Sequence, residues 1–300
     1  ASHKADWCGT ISQRFDEVTL HEIPPNGQGI AGLMALGILD HTNIRDLGPD
    51  DPQALHLQIE AMKLALLDTE AYVTDLDFMK HITAENMLDP DYLKERARLI
   101  HSKRATDFKV GNLKTVGTVY LSAADASGMM VSFIQSNYAG FGSGVVVPET
   151  GIHLQNRGAG FSLLKNHPNL VAPGKRPFHT IIPAFLMKHE KPLMSFGVMG
   201  GPMQAQGHLQ MTLRTQLWDQ DVQMAIDAPR WRITGGLGIA CESSFKTSTL
   251  QILSDMGHEV TCEEPDNAFG FGGAQLVARL DNGTYAAGSD PRKDGQAVGF

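Results

Sequence analysis

The chain has 300 residues, 42% of them hydrophobic and 19% charged, with a formal net charge of −8; it is long enough for one large domain or two smaller ones. Lys/Arg against Asp/Glu stand at 12 to 18 in residues 1–117 and 13 to 15 in 118–300, so neither part has a basic face for nucleic acid. The three cysteines (Cys8, Cys241, Cys262) lack CxxC spacing, the twelve histidines lack HExxH spacing, and no apolar run approaches a membrane span, which argues against a disulfide framework, a structural zinc or a spanning helix.

Residues 9–23 alternate loosely (Ile11, Phe15, Val18, Leu20, Ile23), as strands do. Pro24-Pro25-Asn26-Gly27 breaks the run, and Ile30 to Leu39 follows as an apolar segment with Gly and Ala spaced for close helix packing. Asp50-Asp51-Pro52 and Asp89-Pro90-Asp91 each set acidic groups and a proline where a helix begins. Leu55, Ile59, Met62, Leu66 and Leu67 fall on one face of the first helix, and Leu93, Ala97 and Ile100 continue the second. From Lys103 to Lys114 the sequence is polar and without period, which reads as an exposed linker or an ordinary surface loop.

The linker leads to Gly117-Thr118-Val119-Tyr120-Leu121, which with Met129-Met130-Val131-Ser132-Phe133-Ile134 predicts a hairpin turning at Ala126-Ser127-Gly128. Thr118 is expected at the head of a buried strand, directly after a glycine. By propensity it is a β-former. A threonine hydroxyl needs a base to act as a nucleophile. If the Gly117–Thr118 bond were cut, the new α-amino group, with a reference pKa of about 8, would supply that base on the same residue.

Farther on come the glycine-rich stretch 139–144, turn-rich segments around Asn156-Arg157 and 172–177, and strands over 181–187 and 193–199. The second strand runs into Gly200-Gly201-Pro202 and a helical segment, 204–218. Two glycines at such a junction leave backbone N–H groups able to hold an oxyanion. Helices are predicted over 221–228 and 244–256, and a last hairpin over 274–287 turns at Asp281-Asn282-Gly283.

These stretches, with Phe141-Gly142-Ser143-Gly144, Leu154–Phe161, Pro173–Pro177, Gly197–Gly201 and Gly288–Arg292, resemble the gamma-glutamyltranspeptidase family in order and spacing across nearly all of 118–300. Ile23–Gly29 and the helix near 51–72 resemble the end of that family's large subunit. The resemblance implies an α+β fold, the four-layer α-β-β-α sandwich of N-terminal-nucleophile hydrolases. It implies residues 1–117 as the end of a large subunit, intertwined with a small subunit of 118–300, and self-cleavage at Gly117–Thr118. It places residue 1 inside the large subunit, so a missing amino-terminal large-subunit segment is an expected partner, as is a dimer of large/small-subunit pairs. No metal or organic cofactor is called for.

Residue by residue, the resemblance makes Thr118 the nucleophile of an acyl-enzyme mechanism acting on a small amide or peptide. It makes Ser136 the hydroxyl that orients Thr118, with a structural serine the alternative, and Gly200 and Gly201 the oxyanion hole. The substrate positions depart from the family. Ala159-Gly160 stand where γ-glutamyl-specific members carry an acid before the phenylalanine, His179-Thr180 replace two serines, and Tyr138 and Arg157 replace amide residues. Weak γ-glutamyl transfer is therefore expected, with hydrolysis of another acyl amide. An uncleaved binding protein, or a hydrolase built on His179 or His208, remains an alternative.

Overall fold

The computed structural model describes residues 4–109, 111, 118–265 and 270–300. Its centre is a six-stranded antiparallel sheet in the order β1-β2-β5-β6-β10-β11. The strands are β1 (Ile11–Phe15), β2 (Val18–Glu22), β5 (Ala184–Lys188), β6 (Lys191–Met199), β10 (Gly273–Arg279) and β11 (Tyr285–Ser289). Residues on both sides of Thr118 thus build one sheet, because β2 pairs with β5. β5 starts later than the predicted 181–187, since Pro183 has no N–H and the Ile182 N–H turns instead to Gln204 Oε1 at 3.1 Å.

One face of the sheet packs on helices. In α1 (Gly29–Leu39) every residue is buried, as expected of a helix apolar all round. It lies between α2 (Pro52–Tyr72), α4 (Pro90–Ala97), α5 (Met203–Thr212) and the sheet. Asp51 caps α2 through the Gln53 N–H, and Asp89 caps α4 through the N–H groups of Asp91 and Tyr92. A short α3 (Ala84–Met87) precedes α4, and a π-helical turn, Leu213–Leu217, extends α5.

The opposite face carries the hairpin of β3 (Val119–Ala124) and β4 (Met130–Gln135), turning at Gly128 with φ 93°. Ser122 Oγ donates to the Ser195 carbonyl at 3.0 Å and Ser132 Oγ to that of Phe196 at 3.3 Å. The Tyr120 ring lies over Gly197, where a Cβ would collide with it. The strand is not buried on both sides, as the sequence suggested. Its outer face is open, with Val119 60%, Leu121 47%, Val131 42% and Phe133 47% exposed.

A separate three-stranded sheet holds β7 (Trp231–Gly235), β8 (Gly238–Glu242) and β9 (Glu259–Glu263), with α6 (Val222–Asp227) before it and α7 (Thr247–Asp255) joining β8 to its parallel partner β9. The supposed linker is pinned where it is described. The Ala105 N–H donates to Met256 O at 2.7 Å, the Thr106 N–H to Glu60 Oε2 at 3.0 Å, and His56 Nε2 lies 2.9 Å from His101 O.

Candidate active site

Thr118 stands immediately before β3 and is 8% exposed. The register of β3 on β6 locates it. Ser122 meets Ser195 and Tyr120 meets Gly197, so two further residues back along β3 correspond to two forward along β6, setting Thr118 against Met199. Both line one groove of ≈ 470 Å³, and Met199 directly precedes Gly200. Thr118 Oγ1 donates to Ser136 Oγ at 3.3 Å, and that same oxygen accepts the Tyr138 N–H at 2.8 Å. Gly117 and its bond to Thr118 lie outside the described residues.

Gly200 and Gly201 have φ of 129° and 61°, the first within reach of glycine alone and the second costly for other residues. Their carbonyls accept the N–H groups of Met203 (3.2 Å) and Gln204 (3.1 Å), tying the turn to α5. Among the described residues neither glycine N–H has a protein acceptor, leaving two donors for a developing negative charge. Gln28, at the start of α1, fixes the turn from behind: its Nε2 donates to Gly201 O at 2.8 Å and Thr180 O at 2.7 Å.

Arg157 opens a 3-10 turn, Arg157–Gly160, and is 7% exposed. Its Nη1 donates to Thr180 Oγ1 at 3.0 Å, and the Tyr138 ring covers it, with Cζ 4.5 Å from the ring centroid. Burial lowers the guanidinium pKa, but arginine stays charged. His179 lies beside it; burial first, and then the Arg157 charge, pull its pKa down to about 4, so the ring is neutral at neutral pH.

The contacts form one unbroken path: Thr118, Ser136, Tyr138, Arg157, Thr180, Gln28 and Gly201. Thr118, Ser136, Tyr138, Arg157, Thr180 and Gly201 lie on this path, with Gly200 and His179 directly beside it. Next to it is a cavity of ≈ 390 Å³ lined by Gln28, Thr180, Gly160, Phe161, Asn169 and Phe178. A Cβ on Gly160 would collide with the Phe178 carbonyl oxygen. Asn169 fastens that wall, its Nδ2 donating to Gly160 O and its Oδ1 accepting the Phe178 N–H. Sequence reasoning assigned no role to Gln28 or Asn169; a glutamine between two glycines at a helix start was the one signal for the former.

His208 is not available for catalysis. It is fully buried, its Nδ1 2.6 Å from Glu22 Oε1, and its Nε2 accepts the Val198 N–H at 3.2 Å. Because Nε2 is an acceptor, Nδ1 carries the proton and donates to Glu22. The pair locks β6 just ahead of the diglycine turn. His56, Glu60 and His258 lie close enough together to suggest metal ligands. However, His56 Nδ1 and His258 Nε2 are hydrogen-bonded at 2.9 Å, and the Glu60 oxygens are taken by Lys63 Nζ and the Thr106 N–H. The buried ammonium already supplies the positive charge a cation would bring.

The chain is 36% identical, over its whole length, to the glutathione hydrolase-like YwrD proenzyme of Bacillus subtilis, spanning 57% of that protein. It is equally similar, with the same coverage, to the oxamate amidohydrolase proenzyme of Klebsiella pneumoniae. The crystal structure of cephalosporin acylase from Bacillus halodurans superposes with a TM-score of 0.92 at 43% identity, covering 100% of this chain and 54% of that one. The chain therefore spans about half the length of the relatives it matches. The model of the gamma-glutamyltranspeptidase family matches residues 1–300, and the chain belongs to that family.

Proposed function

We propose that this chain is the carboxyl-terminal part of an amide hydrolase or acyl transferase whose nucleophile is Thr118, freed by scission of the Gly117–Thr118 bond. The observation that carries the reading is the seat of Thr118: it lines one groove with Met199, the residue before two unengaged glycine N–H groups, with its hydroxyl on Ser136. The names hydrolase, amidohydrolase and acylase among the relatives favour the same chemistry.

In this reading the Thr118 hydroxyl attacks the amide carbonyl and its proton passes to the Thr118 amino group. The Gly200 and Gly201 N–H groups hold the oxyanion, a contribution of about 10²–10³ in rate per donor. The proton then moves to the departing amine as the C–N bond breaks, leaving an ester on Thr118. Water or an amine attacks that ester and regenerates the hydroxyl. Ser136 orients the nucleophile, and Arg157, His179, Thr180 and Tyr138 face the acyl group.

Residues 1–117 would be the end of a large subunit and 118–300 the small one, consistent with their shared sheet. The helices on one sheet face and the hairpin on the other would supply three layers of a four-layer α-β-β-α sandwich. The exposed apolar face of β3 and β4 would receive the large-subunit half that this chain does not include. Several large apolar side chains open on one sheet face mark a surface that another layer covers.

Intact-mass measurement of the full-length protein tests the scission: a fragment beginning at Thr118 is expected, and Thr118→Ala should prevent it and abolish amide turnover. An enzyme that stays in one piece, or survives Thr118→Ala, overturns the reading.

A further inference from the structure

The last rungs of β6 carry the diglycine turn, and on one side they have no strand beside them. β5 begins at Ala184, opposite Phe196, because Pro183 before it has no N–H for the ladder. On the other side β10 continues to Gly273, opposite Met199. The Val198 N–H, two residues before Gly200, donates not to a strand but to His208 Nε2, at 3.2 Å. His208 thus supplies the acceptor that a longer β5 would have offered. It follows Gly207 in α5, where a Cβ would collide with the Val198 side chain, so the helix lies flush on the strand end.

Glu22, the last residue of β2, holds the imidazole from its other side. Its Oε1 is 2.6 Å from Nδ1, and both side chains are fully buried. Since Nε2 accepts from Val198, Nδ1 carries the ring proton and Oε1 accepts it. The opposite tautomer would set an Nε2–H against the Val198 N–H. Burial raises the Glu22 pKa, yet a proton on the carboxyl group has Oε2 to occupy, which makes no hydrogen bond. The direction of the Glu22–His208–Val198 chain is therefore the same in either charge state.

We infer that Glu22 and His208 are positioning residues for amide cleavage: they fix the 197–198 peptide and, through it, the aim of the Gly200 and Gly201 N–H groups. Neither side chain touches the reacting atoms. Glu22 precedes Thr118 in the chain and His208 follows it, so this strut joins the two parts that scission would separate. Its catalytic role rests on the Thr118 reading above; the strut itself does not.

Two variants of the full-length protein separate the contacts. In His208→Asn the side-chain amide reaches the Nδ1 position and can donate to Glu22, but nothing reaches the Val198 N–H. In His208→Gln the side-chain oxygen reaches the Nε2 position and can accept from Val198. With glutaryl and γ-glutamyl p-nitroanilides as probes, His208→Asn should lower kcat at least about tenfold with KM within about twofold. Misaimed donors lose transition-state stabilisation rather than binding. Hydrogen exchange across 196–201 should quicken in the same variant, and His208→Gln should recover part of both. Should His208→Asn fold poorly, Glu22→Gln, still an acceptor for Nδ1, against Glu22→Met supplies the contrast on the same two quantities. A kcat in His208→Asn within about twofold of wild type, or equal losses in His208→Asn and His208→Gln, would overturn the positioning role while leaving Thr118 catalysis standing. Turnover that survives Thr118→Ala, or no turnover of either anilide, sinks the Thr118 reading instead. Hydrogen exchange then decides the strut alone, and unchanged protection of 196–201 in His208→Asn ends it.

Discussion

Gln28 holds Gly201: its side-chain amide donates to the Gly201 carbonyl at 2.8 Å while a second donation, at 2.7 Å, ties down Thr180. One buried side chain therefore couples the diglycine turn to the wall of the ≈ 390 Å³ cavity. Gln28→Ala leaves the buried Thr180 carbonyl unsatisfied, a loss of about 1–3 kcal/mol, and leaves Gly201 O with the Gln204 N–H alone. It also loosens Gly201, whose own N–H on the adjoining 200–201 peptide is one of the two proposed donors, and small misplacements of oxyanion donors cost about 10–100-fold in rate. The expected signature is a fall in kcat with KM little changed. Gln28→Glu should do no better, since a carboxylate cannot donate to both carbonyls. Amide turnover within twofold of wild type in Gln28→Ala would refute the coupling.

Restoring a γ-glutamyl pocket by a single change at Gly160 should fail. Any Cβ there strikes the Phe178 carbonyl oxygen, and Phe178 is held close by its N–H donating to Asn169 Oδ1. Gly160→Asp is expected to destabilise the protein by about 1–3 kcal/mol through overpacking and to bring no gain on a γ-glutamyl anilide. Ala159 is exposed, so Ala159→Asp should be tolerated. Melting temperatures and γ-glutamyl turnover of the two variants check this; a stable, γ-glutamyl-active Gly160→Asp would be the contrary result.

The sequence made legible what depends on local pattern and chain order: the capped helices α2 and α4, the hairpin turning at Gly128, and the diglycine junction before α5. It also brought Thr118, Ser136, Tyr138, Arg157, His179, Thr180 and the diglycine together, because the family's motifs keep their spacing. Pairings set by tertiary contact stayed hidden. β7 and β8 are short and interrupted by Gly235, Gly236 and Gly238, so their period-2 signal is too brief to read. Gln28 acts across 152 and 173 residues of sequence, a separation no local pattern encodes. The segment after Lys103 looked like slack chain because its partners, Glu60, Lys63 and Met256, lie on other elements.

That segment is anchored by an ion pair sealed in the core. Lys63 Nζ lies 2.9 Å from Glu60 Oε1, both side chains fully buried, and also donates to Thr106 O at 3.4 Å. Removing one partner leaves an uncompensated buried charge, so Lys63→Met should cost about 3–5 kcal/mol. Adding Glu60→Gln should recover much of that loss. Because Glu60 also holds the Thr106 N–H, the single variant should speed proteolysis within 101–109. Denaturant melts of the single and double variants check the sign; a double variant no more stable than Lys63→Met would contradict it.

Stability should fall as pH drops from about 6.5 toward 3, and His258 should be a principal cause. Burial first, then the charges of Lys63 and His56, push its pKa down to about 3, and burial also lowers that of His56. Facing them are Lys63 and Glu60 on α2 and the His101 carbonyl. The unfolded chain binds a proton at each histidine near pH 6.5, whereas the folded one binds it at lower pH, about 3 for His258. Below 6.5 the unfolded state therefore binds more protons and gains ground, by at most about 1.4 kcal/mol per pH unit for each histidine. His179, pulled to about 4, adds to the same window. Asp290, whose pKa lies below the carboxylate range because Arg230 and Arg292 outweigh its burial, contributes only at lower pH. Glu22 acts in the opposite sense, its pKa being raised by burial. Comparing wild type with His258→Asn cancels these background groups. Urea melts at half-unit steps from pH 7.5 to 4.5 should show a shallower slope for the variant by close to one proton. Identical slopes would mean that His258 titrates no differently in the folded and unfolded chains.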